Sequence, residues 1–101
     1  MTTWFVSRHA GAVEWADQHG LTIDRVRAHL RIEEIEPTDI VVGTLPIDMV
    51  AVLCSIGARY FHLTLSVPAD FRGQELTAEQ LVACNARLHE FRVELLSSGK
   101  L

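Results

Sequence analysis

Three short stretches of the chain gather side chains suited to holding an anion. Ser7-Arg8-His9-Ala10-Gly11 combines a hydroxyl, a fixed positive charge, an imidazole that titrates near neutral pH and a glycine that lets the backbone approach a ligand. Gly43-Thr44-Leu45-Pro46 repeats the glycine and the hydroxyl, and Arg72-Gly73 supplies a further guanidinium. A phosphate suits this chemistry because arginine grips it with two parallel hydrogen bonds. The first two stretches each follow a short apolar run and precede a helical pattern, where unpaired backbone N–H groups and the helix dipole also favour an anion. Together they make a small phosphate cradle with a potential acid or base. Glu14, one turn into the helix that follows, is a candidate to orient Arg8 or His9.

The other histidines fit structural roles better. His19 and His89 fall on helix surfaces or ends, His29 on the polar side of a strand, and His62 where a hydrogen bond between layers is the simplest reading. No histidine pair has zinc-type spacing, so neither a metal site nor a cofactor is expected. Cys54 and Cys84 sit in apolar periodic segments and read as buried free thiols.

The elements that position these residues follow from periodicity. Trp4-Phe5-Val6 reads as a strand, and Ala12, Trp15, Ala16 and His19 follow helical spacing up to a stop at Gly20. Arg25 to Ile32 alternates with period two and predicts a half-buried strand, and the acidic stretch Glu33 to Asp39 predicts a solvated loop. Ile40-Val41-Val42 predicts a buried strand, and a helix runs from a first residue at Pro46 until Gly57 stops it. Tyr60 to Val67 alternates again, Thr77 and Gln80 form a capping box for a helix carrying Leu81, Cys84 and Leu88, and Phe91 to Leu95 predicts the last strand. This succession implies α/β layering with a largely parallel sheet, in which ligands sit beyond the carboxyl ends of strands where strand order reverses. The Ser7–Gly11 and Gly43–Pro46 loops fit that place.

Composition narrows the class. The 101 residues suffice for a single small domain, and 49% hydrophobic against 22% charged residues is an ordinary globular balance. Neither a membrane span nor a signal peptide is expected, which points to the cytoplasm. A net charge of −4 argues against coating DNA or a membrane, although eight of the nine basic residues are arginine. An anionic ligand is therefore expected to be small and met locally.

Phe5-Val6-Ser7-Arg8-His9-x-Gly11-Ala12 with Glu14-Trp15-Ala16, then Val42-Gly43-Thr44-Leu45-Pro46, Gly57-Ala58-Arg59-Tyr60 and Arg72-Gly73-x-Glu75-Leu76, resemble the Csx-sixteen family of CRISPR-associated proteins. The likeness spans nearly the whole chain with its blocks in order; Ala10 stands where many relatives have proline. It implies a Rossmann-like domain over residues 1–101, related to the sensor (CARF) domains of type III CRISPR systems, with a mostly parallel sheet and helices on both faces. It also implies a homodimer acting as a ring nuclease on cyclic tetra-adenylate, a second messenger of the antiviral response. Cleavage would be metal-independent, the ribose 2′-hydroxyl attacking the adjacent phosphate to leave a 2′,3′-cyclic phosphate. On this reading Arg8 and His9 are catalytic, and Ser7, Gly11, Gly43, Thr44, Leu45 and Arg72 bind the substrate.

Three other readings compete. A sensor or sequestering protein would use the same cradle without cutting. A histidine phosphatase is suggested by Arg8-His9 after the first strand, but the chain is short for one and Ala10 replaces the usual glycine. A protein-interaction domain would rely instead on Arg25, Arg27 and Arg31.

Overall fold

Strand β1 (Thr3–Val6) is buried along its whole length, which places it inside the sheet and not at an edge. The computed structural model describes residues 1–99. Its sheet has five strands in the order β2-β1-β3-β4-β5, with β2 spanning Arg25–Arg27, β3 Ile40–Gly43, β4 Arg59–Thr64 and β5 Arg87–Phe91. The first four are mutually parallel and β5 is antiparallel to β4. From β1 the chain moves first to β2 on one side, then back across to β3 on the other, so strand order reverses between β1 and β3.

Side-chain alternation along the strands divides the interior into two layers. Trp4, Val6, Val41 and Tyr60 meet Val50 and Leu53 of helix α2 (Ile47–Ile56) on one face. Phe5, Val42 and Leu63 meet Trp15 and Ala16 of α1 (Ala10–Gln18) and Leu81 of α3 (Ala78–Ala83) on the other. The expected Rossmann-like α/β layering, mostly parallel with helices on both faces, is thus the observed one. Cys84 is buried, Cys54 half-buried, and both thiols are free. No helix among the described residues is long and apolar enough to cross a membrane.

Local signals set several boundaries. Gly57 ends α2 in the left-handed conformation at φ 104°, and both arms of the Thr77–Gln80 capping box form at 3.1 and 2.9 Å. Pro46, read as the first helical residue, is instead the cap before it. Other boundaries differ for reasons of pairing. β2 stops at Arg27 instead of Ile32, because its only neighbour, β1, ends opposite it at Val6. β4 stops at Thr64, level with the start of β5. The final helix does not reach Leu88: Asn85 turns the chain at φ 58°, and Leu88 and His89 enter β5, four residues earlier than the strand expected from Phe91.

The acidic connection is not wholly solvated either. Asp39 is 3% exposed and accepts hydrogen bonds from Thr2 N–H at 2.9 Å, Glu36 N–H at 3.0 Å and the Trp4 indole at 3.1 Å. Burial alone opposes its charge, but the Glu36, Thr2 and Trp4 donors outweigh that and hold the carboxyl below its ordinary 3.8. Asp24 does a similar task on the other edge of β1, accepting from Thr3 N–H at 2.8 Å and donating its own N–H to Thr3 O at 2.9 Å. The amino end of β1 is therefore held on both sides.

Asp39→Ala should lower unfolding free energy by about 3 kcal/mol, since it strands three donors. Because the folded pKa is depressed, the carboxylate's contribution is present above about pH 4 and lost as pH falls through the folded value. Urea unfolding from pH 3 to 7 should show a steeper acid loss in the wild type than in Asp39→Asn.

Candidate functional site

The carboxyl ends of β1 and β3 open into a cleft of about 310 Å³. Ser7, Arg8 and His9 line one wall, and Thr44, Leu45 and Pro46 another. Six of the sequence-derived positions or their loop neighbours thus meet where strand order reverses, the place that fold geometry favours for ligands. A larger cavity of about 760 Å³ lies along α2 beside residues 92–95; it contains neither Arg8 nor His9 nor Thr44 and is mainly apolar. Chemistry favours the smaller cleft.

The two loops differ in the hydrogen-bond donors they leave free. Ser7 N–H donates to Arg27 O at 2.9 Å, extending the β1–β2 pairing by one step, and Ser7 Oγ accepts from His9 N–H at 3.0 Å. The Ser7 hydroxyl proton stays available. The N–H groups of Arg8, Ala10 and Gly11 have no acceptor among the described residues, and α1 begins without a side-chain cap or an acidic residue in its first turn. Its amino end is an open anion site in electrostatic terms. Arg8 is exposed and makes no ion pair among the described residues, whereas His9 Nδ1 lies 3.9 Å from Glu75 Oε1.

The second loop is more occupied. Tyr60, 1% exposed, donates its hydroxyl proton to Gly43 O at 3.0 Å and accepts from Leu45 N–H at 2.9 Å. Its oxygen also lies 2.7 Å from His62 Nδ1, which then carries the ring proton facing it. Burial pushes the Tyr60 phenol above its ordinary 10.0, keeping it protonated through this bonding. Leu45 consequently offers a ligand apolar surface and no N–H, Pro46 has none to offer, and Thr44 is left as the polar contact on this side.

Both glycines have a nearer reason than a ligand. A Cβ on Gly11 would stand 2.1 Å from Leu76 O, where α1 crosses the start of α3, and one on Gly43 would stand 2.8 Å from Val6 O on the neighbouring strand. Arg72 caps the Ala69–Phe71 turn and is exposed, outside the cleft lining. Conversely, Ala28, His29, Leu30 and Met49 line the cleft without having been singled out for it. Once β2 ends at Arg27, Ala28–Leu30 is a third loop at the carboxyl side of a parallel strand, and His29 faces the cleft for the same topological reason as His9. The alternation of Arg25 to Ile32 concealed this. Arg27 itself is engaged, its guanidinium 5.0 Å from the Trp4 ring centre and paired at 3.3 Å with Glu34, whose carboxyl that hydrogen bond holds below its ordinary 4.5.

The family model described as "Putative CRISPR-associated protein (Cas_VVA1548)" matches residues 4–94. No curated protein and no solved structure gives a significant match.

Tyr60→Phe should leave Leu45 N–H and Gly43 O unpaired, cost about 1–3 kcal/mol and speed hydrogen exchange at the Leu45 amide before it changes the Ser7–Gly11 loop. Gly11→Ala should destabilise by about 1–3 kcal/mol through the clash with Leu76, despite alanine's better helix propensity, as read by thermal unfolding.

Proposed function

The chain belongs to the Cas_VVA1548 family of CRISPR-associated proteins, and from that premise we propose that it is a ring nuclease of type III CRISPR defence acting on cyclic tetra-adenylate. The observation that carries this reading is the unoccupied donor set at the start of α1. Ser7 and Arg8 line the cleft together with His9 and His29, and the free N–H groups of Arg8, Ala10 and Gly11 lie along the same loop where it enters α1. That set suits one phosphodiester at a time.

The reaction asks little of the protein beyond geometry and charge. The ribose 2′-oxygen attacks the adjacent phosphorus as its O–P bond forms, the bond to the 5′-oxygen breaks, and the proton lost by the 2′-hydroxyl is balanced by one gained at the leaving 5′-oxygen. The products are a 2′,3′-cyclic phosphate and a 5′-hydroxyl. Holding the 2′-oxygen in line supplies much of the acceleration, up to roughly 7–11 kcal/mol in ideal intramolecular cases. Arg8 and the free N–H groups stabilise the charge that builds on the phosphorane oxygens. His9 is the candidate acid or base, with Glu75 Oε1 3.9 Å from its Nδ1. Gly43 and Gly11 act by permitting the strand and helix approaches that shape the cleft, and Thr44 contacts the ring from the opposite wall.

A twofold ring also suits a twofold assembly in which two clefts share one ligand, so the working form on this reading is a homodimer. A second reading, in which the protein binds the ring without cutting it, is favoured by the half-exposed position of His9 and the length of its contact to Glu75.

Radiolabelled cyclic tetra-adenylate incubated with excess protein in EDTA should yield products ending in 2′,3′-cyclic phosphate. Intact ring with retained binding would select the second reading. Arg8→Ala should slow single-turnover cleavage roughly 10²-fold or more, and His9→Ala by about 10²–10⁴-fold if it moves the proton. Sedimentation should give twice the chain mass; a monomer with and without ligand would remove the dimer.

A further inference from the structure

Beyond Tyr60, the α2 side of the sheet is only partly covered at β4 and β5. Residues of β4 and β5 that project toward the α2 side pair across the strands as Tyr60 with Phe91, His62 with His89 and Thr64 with Arg87. Tyr60 is covered, but Phe91 is 48% exposed, His89 is exposed, and His62, Thr64 and Arg87 are half-buried. The rings form a contiguous set, Phe91 lying edge-on to His62 at 6.0 Å and to His89 at 6.4 Å between centres. The nearest carboxylate on β5, Glu90, projects to the opposite face and is held there by Arg59 at 2.7 and 2.9 Å.

We propose that His62, His89 and Phe91, with Arg87 at their rim, form a nucleobase-stacking platform that serves the phosphate-binding cleft. This deepens the ring-nuclease reading and rests on it. Three points favour a base as the occupant. The surface offers three rings and a guanidinium, and rings of this kind stack with any base. Arg87, one of whose guanidinium nitrogens donates to Asn85 O at 2.8 Å, sets a fixed positive charge at its rim in a chain that is acidic overall. The platform also lies beside the cleft in the sheet: His62 pairs with Gly43, which pairs with Val6 of the cleft lining, and the buried Tyr60 bonds His62, Gly43 and Leu45 together. A base on the β4–β5 side and a phosphate on the β1 side would straddle that loop.

Nuclear magnetic resonance with two probes separates base from phosphate. Millimolar adenosine 5′-monophosphate should shift the ring signals of His62, His89 and Phe91 together with the amides of Arg8 to Gly11, whereas ribose 5-phosphate should shift those amides alone. Adenosine monophosphate shifting only the amides would overturn the platform and leave the phosphate site standing, while no shift with either probe would overturn both. Ring signals that move with protein concentration in the absence of ligand would assign the face to contact between copies and overturn the proposal. His89→Ala and Phe91→Ala should each weaken cyclic tetra-adenylate binding about tenfold, the loss of one stacked base, and leave ribose 5-phosphate shifts unchanged.

Discussion

Strand β1 is the member on which the rest depends. It is buried on both faces and bonded along both edges, and its amino end is pinned by two carboxylates, Asp24 from the β2 side and Asp39 from the β3 side. A strand so constrained cannot slide without moving every apolar residue to the wrong layer. Its carboxyl end is therefore a fixed point. The Ser7–His9 loop starts from that point and inherits its precision, which is what a site made of backbone donors needs.

Close backbone approach is the second constraint, and it changes the meaning of the glycines. Gly43 sits against Val6 O across the β1–β3 junction, and Gly11 against Leu76 O where two helices meet. Neither position tolerates a Cβ, and neither needs a ligand to explain it. The cleft exists because these contacts bring the strand ends and the start of α1 together, so the glycines build the cavity without lining it.

Hydrogen-bond satisfaction then separates two loops that look alike as strings of residues. Tyr60 consumes the Leu45 donor, while the three donors around Ala10 are left over. The same tyrosine passes its remaining acceptor capacity to His62, coupling the wall of the cleft to the exposed rings of β4 and β5. The β4–β5 register fixes which face of β5 those rings occupy, and Arg59 pairs with Glu90 on the opposite one. That hydrogen bond and the charge of Arg59 hold the Glu90 carboxyl below its ordinary value. The pair's contribution is therefore fully present above the ordinary carboxylate value and lost only as pH falls through the lower folded one.

The sequence by itself determined the class of fold, the helix ends at Gly57 and Thr77–Gln80, and two of the three loops that line the cleft. Those signals are local: a cap, a left-handed stop and an apolar period each act within a few residues. It also carried the five alternating positions after Arg27 that suggested more strand, because period two records only what a segment would do if given a partner. Whether a partner exists is a property of the sheet. Tertiary structure alone decided that β2 ends early and turns His29 into the cleft, that β5 runs antiparallel, that Asp39 is buried in an acidic loop, and that Leu45 has no N–H to give. Each of those outcomes depends on a group fifteen or more residues away in the chain, and no local pattern encodes such a neighbour.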